Sequence, residues 1–494
     1  MVDHEIEINL MRALNEQNLW WREGIPSEKF AKPFRRRDFY PLLKEYNKKE
    51  VMAFVGQRQV GKTTVLYQII EELIKNYNVN PKRIIYFSFD NPFIGLTHSK
   101  ERNLINDILD VYSVNILKES ISFLKKPIYV FFDEICKYPH WSEILKGWYD
   151  LKHPIKFYIS DSSCSDILKG SSESLAGRIK IQIMLSFKFI DFVKYKFGIP
   201  DSKILDLINL DLRTKLLEFI KQENADELFN FLKEIYIVLN PVENQIKTLM
   251  NEYLLKDGFP ELFDIDSLDD SRFKLQNYLS LTIQKDLMRI FEIRNPKALE
   301  ELISLIAAES SQLFVYSNMA EILSITDDTL KEYLGYLESI FLISRSEFYT
   351  KSRASRIRKS DKIYLNNIGL RNVLLNKLNE DFFKDSMDLS KVAESLVQDH
   401  VKRLKFCFEL SSNPELYYWK SKNNHEVDIV VEILKKPIPI EVKYRNKVPS
   451  SELKGIKNFI TEGLSSYGFV ITKDELDIRN NLVFIPLWLF LLIC

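Results

Sequence analysis

Glycine is scarce in this sequence, with 14 in 494 residues, and cysteine is scarcer, with four. Cys136, Cys164, Cys407 and Cys494 are scattered without CxxC or Cys/His spacing, which excludes a structural zinc cluster and a disulfide scaffold and fits a reducing cytosol. No charge of one sign is in excess. Sixty-nine basic residues balance sixty-nine acidic ones, so no global field draws nucleic acid, and any such binding must come from a local patch. Long hydrophobic runs are missing too. The apolar tail LVFIPLWLFLLIC, residues 482–494, is shorter than the roughly 20 residues a membrane helix needs, and Pro486 interrupts it. It reads as a buried final strand and turn. The N-terminal MVDHEIEINLMRALNEQ is charged and amphipathic, with no signal-peptide core. The expectation is a cytoplasmic protein of about three domains with no membrane partner.

Against that background two of the few glycines stand in one short window. FVGQRQVGKTTV, residues 54–65, spaces Gly56 and Gly61 five apart and follows them with Lys62 and Thr63. This is the phosphate-loop pattern G-x-x-x-x-G-K-[ST]. The backbone of Gly56, Gln57, Arg58, Gln59, Val60, Gly61, Lys62, Thr63 and Thr64 would ring the phosphates at the start of a helix. Lys62 would neutralise the β/γ oxygens and the Thr63 hydroxyl would ligate Mg²⁺. EVMAFV reads as a buried strand before the loop, and KTTVLYQIIEELIKNY as a helix after it. RIIYFSFD, PIYVFFDE and IKFYISD are further β-rich runs, and their alternation with helical segments implies a parallel sheet covered on both faces.

PIYVFFDE ends in Asp133 and Glu134 at the strand's carboxyl end, where parallel-sheet sites form. Asp133 would hold the Mg²⁺ shell and Glu134 would polarise the attacking water. Ser160, Asp161, Ser162 and Ser163 end the next strand, in position for a group that senses the γ-phosphate. Arg178, in SLAGR, would reach a phosphate in its own or a neighbouring subunit; the alternative is a salt bridge beside the sheet. Trp141 and Trp148, at i and i+7, read as core.

Residues 200–300 are helical and charged. At 300–350, two short helices joined at 324–326 and a longer one suggest helix-turn-helix. SEFYTKSRASRIRKSDKIYL would be its wing, carrying Lys351, Arg353, Arg356, Arg358 and Lys359 to DNA; a solvated basic hairpin is the alternative. From about 385 a helix, a three-strand meander, a helix and a strand follow. They bring Glu394, Asp428 and Glu441 to one sheet edge beside Lys443, a hard-metal arrangement with a lysine to orient water, against the plainer reading of a solvated edge.

With these pieces placed, the chain resembles the archaeal and bacterial AAA+-like, STAND-related P-loop ATPases that carry a winged-helix module and a C-terminal restriction-endonuclease-like domain, a group that includes archaeal Holliday-junction ATPases. NLWWREG, GQRQVGKTT, VFFDEICKYPHW, SLAGR, DGFPE, IQKDL, LKEYLGYLE, KIYLNNIGLR, VAESLV and EVDIVVE…PIPIEVK carry the likeness. It implies an α/β fold: a P-loop NTPase parallel sheet with a helical lid, a winged-helix module and a C-terminal restriction-endonuclease-like α/β domain. The expected division is 1–200 for the N-terminal segment and ATPase core, 201–295 for the lid and an insert, 296–372 for the winged helix and 373–494 for the nuclease-like part. The likeness also implies Lys62 and Thr63 in ATP binding, Asp133 and Glu134 in Mg²⁺ and water handling, and Arg178 as a candidate arginine finger. SDSS stands where the family has T-G-S, YLNNIGL lacks its acid, and SFKFIDF lacks its Pro and Glu. The expected function is an ATP- and Mg²⁺-dependent ATPase working on DNA, branched DNA included, as a homo-oligomer. The rivals are a STAND-like switch that binds a protein partner and an ATP-licensed, Mg²⁺-dependent nuclease.

Overall fold

The computed structural model describes residues 4–37, 39–90, 103–162, 167, 175–197, 212–288, 291–409 and 415–494. Ser163, Cys164 and residues 198–211, the first part of the insert included, lie outside the described residues. The chain forms two compact units, Met1–Leu185 and Ser186–Cys494.

The first unit is built on five strands: β1 (Val51–Val55), β2 (Ile84–Ser88), β3 (Ile128–Asp133), β4 (Ile155–Asp161) and β5 (Ile179–Ile183). They pair in parallel in the order β2-β3-β4-β1-β5. Strands β1, β3 and β4 are buried along their whole length, as runs such as VMAFV and IYVFFD require of a sheet covered on both faces. The sequence reading missed β5, although IKIQI shows the strict alternation of an edge strand. The N-terminal helix His4–Gln17 and the residues after it pack beside β2: Asn18 Nδ2 donates to the Tyr86 carbonyl at 2.8 Å, and Tyr86 N donates back to Asn18 Oδ1. The basic connector lies along the loop helix Lys62–Lys75, where Gln68 Nε2 donates to the carbonyls of Lys32 and Phe34 at 2.7 and 2.8 Å.

The second unit opens with helices Leu212–Gln222, Ala225–Leu239, Glu243–Lys256 and Leu268–Leu281. There follow helix Pro296–Glu309, β6 (Leu313–Phe314), helices Tyr316–Ile322 and Asp327–Ser339, β7 (Ile343–Phe348) and β8 (Asp361–Leu365). β8 pairs antiparallel with both β6 and β7. A long helix, Ser386–Glu409, leads into β9 (Leu416–Lys420), β10 (Glu426–Ile433) and β11 (Lys436–Lys443), then helix Lys454–Thr461 and β12 (Gly468–Thr472). β13 (Asp477–Arg479) and β14 (Leu482–Pro486) complete one nine-stranded sheet, ordered β13-β14-β12-β11-β10-β9-β7-β8-β6. The sheet runs without a break across residue 372, because β7 pairs in parallel with β9, Ser346 opposite Leu416. The tail begins with the expected buried strand, β14, but a helix stands where a turn was expected. After β14, Pro486 caps a helix, Leu487–Ile493, that is buried on every side. Proline suits a helix start, and a helix apolar all round belongs in a core.

Candidate functional site

The phosphate loop leaves the carboxyl end of β1 and turns into the helix that Gly61 caps with φ +91°. A side chain at Gly61 would be strained by that backbone. Gly56 has a different reason: a Cβ there would overlap the carbonyl of Met184, which is held close because Met184 N donates to Val55 O at 2.7 Å. The first glycine thus answers to β5 and the residue after it, and the second to the turn. Lys62 is buried and folds back on the loop, Nζ donating to the carbonyls of Gly56 at 2.8 Å and Gln57 at 2.9 Å. Arg36 holds the loop from outside, through Val60 O at 3.4 Å and Leu185 O at 3.1 Å. RRR was legible only as a basic connector; nothing in its spacing singled out Arg36.

Asp133 and Glu134 meet the loop at the same sheet edge. The Thr63 hydroxyl donates to Asp133 Oδ2 at 2.6 Å, and the Tyr86 hydroxyl donates to the same oxygen at 2.8 Å. Ser160 Oγ donates to the other oxygen, Oδ1, and accepts from Glu134 N at 3.3 Å. Ser160 therefore fixes both acids. Tyr86 and the fixing role of Ser160 escaped the sequence reading, because which residue of a neighbouring strand stands beside Asp133 is set by register alone. Asp161 is buried and accepts from Cys136 N at 3.1 Å, tying down the turn after β3. Glu134 sits in that turn with φ +54°, its Oε2 buried without a partner among the described residues. Burial pushes its carboxyl up to about 7, Lys62 opposes the rise, and the Asp161 and Asp133 charges add to it. A carboxyl so placed can take a proton from water near neutrality. The donor set fits a magnesium ion held with nucleotide: the hydroxyl of Thr63 and the carboxylate of Asp133 are hard oxygen donors.

Arg178 is not brought to this edge. It precedes β5, and its carbonyl accepts from Val51 N at the start of β1, whereas the loop begins after Val55. Its Nε donates to Asp150 at 3.0 Å and its guanidinium lies over Tyr149. Within its own unit it is the salt bridge beside the sheet. Trp141 is buried, and Trp148 Nε1 donates to Asn106 at 2.8 Å.

In the second unit the expected acids do converge. Asp428 on β10 accepts from Val442 N of β11 at 2.8 Å, and Lys443 Nζ donates to Glu441 at 2.5 Å. What lies among them is a lysine that the sequence reading placed in a basic wing. Lys362 of β8, only 2 % exposed, stands 3.1 Å from Glu394, 2.6 Å from Glu426 and 3.9 Å from Asp428. Four carboxyls face two ammonium groups. Burial and the Asp428 charge push Glu441 up to about 8, and burial, opposed by Lys362, leaves Glu394 at about 7. Among the described residues no group of three or more His, Cys, Asp or Glu is placed to hold a metal ion. Lys362 and Lys443 supply the charge that faces Glu394, Asp428 and Glu441, and Lys362 arrives from a strand 66 residues before Asp428 that spacing could not bring there.

The basic wing is thinner than its composition suggested. Arg356 lies over Tyr417 and within 3.5 Å of Glu415, while Lys351, Arg358 and Lys359 are exposed. The outer face of helix Asp327–Ser339 is acidic, with Asp327, Asp328 and Glu332 exposed around Lys331. DGFPE and NNIGLR serve packing. Asp257 accepts from Ile368 N at 2.8 Å, Asn372 Nδ2 donates to Leu254 O and Leu255 O, and Arg371 grips Asp388 with both nitrogens at 2.7 and 3.2 Å.

Three family models match the chain in succession: an AAA domain at residues 48–193, and two domains of unknown function, DUF8612 at 247–381 and DUF4143 at 390–490. The chain is 24 % identical over 469 residues to an uncharacterized protein of Methanocaldococcus jannaschii, covering 93 % of this chain and 89 % of that one. A second protein of that organism is 27 % identical over 392 residues, covering 77 % and 72 %. An uncharacterized protein of Mycobacterium tuberculosis is 24 % identical over 298 residues, covering 60 % of this chain and 54 % of its own length. Among solved structures, the ORC2 protein of Aeropyrum pernix aligns with TM-score 0.35 at 12 % identity, covering 72 % of this chain and 98 % of its own. Hsp104 of S. cerevisiae aligns with TM-score 0.28 at 13 % identity, covering 79 % and 46 %. The phosphate loop and strands β1 to β5 lie within the residues that match the AAA domain model. No helix among the described residues is long and apolar enough to cross a membrane.

Proposed function

We propose that this chain is a Mg²⁺-dependent ATPase that spends nucleotide hydrolysis on a macromolecular partner, DNA in the first reading, as a homo-oligomer. The observation that carries the ATPase reading is the meeting of Thr63 and Asp133 at 2.6 Å beside an unpartnered Glu134 oxygen. Lys62 would exchange the carbonyls of Gly56 and Gln57 for the β- and γ-phosphate oxygens. Thr63 and Asp133 would hold Mg²⁺, which neutralises charge developing on the transferred phosphoryl group. Glu134 would orient the attacking water and accept its proton at Oε2, with Ser160 keeping the backbone of Glu134 in register. Arg178 would act on phosphate only across a subunit boundary.

DNA contact rests on Lys351, Arg358 and Lys359, since phosphates need cations and the helix Asp327–Ser339 offers mainly acids. That acidic face favours the second reading, a nucleotide switch that binds a basic protein partner through the winged-helix part. The lysine-filled acid cluster speaks for the nuclease-like part as a structural or docking module. ATPase rates with and without duplex, branched and single-stranded DNA, on wild type and on a Lys351→Glu/Arg358→Glu/Lys359→Glu variant, separate the two. Stimulation lost in the triple variant supports DNA. Turnover indifferent to every DNA leaves the protein-partner switch.

A further inference from the structure

A cavity of about 270 Å³ opens beside β2 in the first unit, outside the phosphate loop. Its walls are aromatic. Trp20 meets Tyr67 edge to face at 6.0 Å, Phe30 stacks on Tyr67 at 5.0 Å, and Tyr86 tilts against Tyr67 at 4.7 Å. Among the described residues its charged lining is acidic, Glu16 and Asp90, with no cationic residue among them. Glu16 pairs with the exposed Arg12 at 3.3 Å and Asp90 with Lys137, and such surface pairs exchange partners at little cost. Gln17 adds a donor. Its Oε1 accepts from Ser88 N at 2.8 Å, but its Nε2 is buried with no partner among the described residues, a standing cost that an incoming acceptor would relieve.

We propose that this cavity binds the side chain of a basic amino acid, arginine foremost. Its cation would lie on the aromatic faces and between the two carboxylates, and its amide carbonyl would accept from Gln17 Nε2. A planar guanidinium suits stacked rings and a carboxylate together. The site also reaches the nucleotide centre. Tyr86 walls the cavity with its ring, and its hydroxyl donates to Asp133 Oδ2 at 2.8 Å. An occupant that moves Tyr86 moves the orientation of Asp133, a coupling that rests on reading Asp133 as the magnesium acid.

The test is calorimetric titration of the full chain with N-acetyl-L-argininamide, the peptide acetyl-Gly-Arg-Gly-amide and the neutral N-acetyl-L-norleucinamide. The arginine probes are expected to bind one site roughly tenfold more tightly than the neutral one, the worth of a cation on aromatic faces with carboxylates beside it. Phe30→Ala and Glu16→Gln/Asp90→Asn are expected to weaken that binding several-fold while leaving basal ATPase activity unchanged. Binding of the peptide alone would assign the site to a protein chain, and binding of both probes would admit a free small molecule; either supports the proposal. It is overturned if neither arginine probe binds, if norleucinamide binds as well, or if Phe30→Ala binds like wild type. Coupling is read as a shift in affinity for a fluorescent ATP analogue with Mg²⁺ when the cavity is filled, absent in Tyr86→Phe; no shift in wild type overturns the coupling. If the analogue fails to bind without any probe while argininamide still binds, the nucleotide reading falls and the cavity stands.

Discussion

Thr63 and Asp133, 70 residues apart, share a 2.6 Å hydrogen bond. It joins the loop that follows β1 to the end of β3, two strands away in the sheet. The bond puts one hydroxyl and one carboxylate where a magnesium ion with its nucleotide would sit, and it places Glu134, the next residue, against Lys62. Replacing Glu134 by Gln keeps the shape and removes the base. The expected outcome is a fall in ATP turnover of roughly 10²-fold or more, with ATP affinity retained. Steady-state hydrolysis and equilibrium binding of a fluorescent analogue check it. Lys62→Ala is expected to lose the binding itself.

Gly56 tests a packing claim. A methyl group there meets the Met184 carbonyl, which the Val55–Met184 hydrogen bond will not release. Gly56→Ala is expected to cost about 1–3 kcal/mol, as overpacking of a tight interior does, and to lower the melting temperature even without nucleotide. Gly61→Ala is expected to act instead through backbone strain at φ +91°. Thermal melts of both variants with and without nucleotide separate the two causes.

Lys362 tests the acid cluster. Removing a buried cation leaves Glu394, Glu426 and Asp428 facing one another, and breaking such pairs costs about 3–5 kcal/mol. Lys362→Met keeps the length and most of the packing. The loss is expected to be smaller at pH 6 than at pH 8, because Glu394 and Glu441, which titrate at about 7 and 8, protonate and relieve the repulsion. Urea unfolding at the two pH values measures it.

Asp257 tests linkage. Burial, with the Asp399 charge next in size, raises its carboxyl to about 6 from an ordinary 3.8. Between those values the folded state binds more protons than the unfolded one, so this residue's stabilisation is full below about pH 4 and is lost as pH rises to about 6. A shift of about two pH units corresponds to about 3 kcal/mol. The urea midpoint of wild type is expected to fall across that window more steeply than that of Asp257→Asn.

Much of the fold was legible because its signals are local. The four strands EVMAFV, RIIYFSFD, PIYVFFDE and IKFYISD declare themselves by unbroken apolar runs, and the loop by two glycines in a chain that has few. The meander of β9, β10 and β11 was legible by alternation and by its turns. The acids of the second cluster were found for the same reason, since Glu441 and Lys443 alternate onto one face whatever surrounds them. What stayed hidden came from elsewhere in the chain. Arg36, Tyr86 and Lys362 act through partners 24, 47 and 32 residues or more away, and no periodicity encodes such a meeting.

The sequence by itself determined the chemistry on offer: a phosphate loop, an Asp–Glu pair at a strand end, and a second set of carboxylates with a lysine two residues on. Each follows from residue type and short spacing, which covalent geometry converts directly into a shared face or a tight turn. The tertiary structure decided what each set is free to do. Parallel register brings Thr63, Tyr86 and Ser160 around Asp133 and leaves Glu134 with an oxygen to spare, whereas it sends Arg178 to the far end of the sheet. The antiparallel pairing of β7 with β8, and the parallel pairing of β7 with β9, carry Lys362 into the acid cluster. Desolvated carboxylates take the nearest compensating charge that the fold supplies, and only the tertiary structure brings that charge from a distant strand.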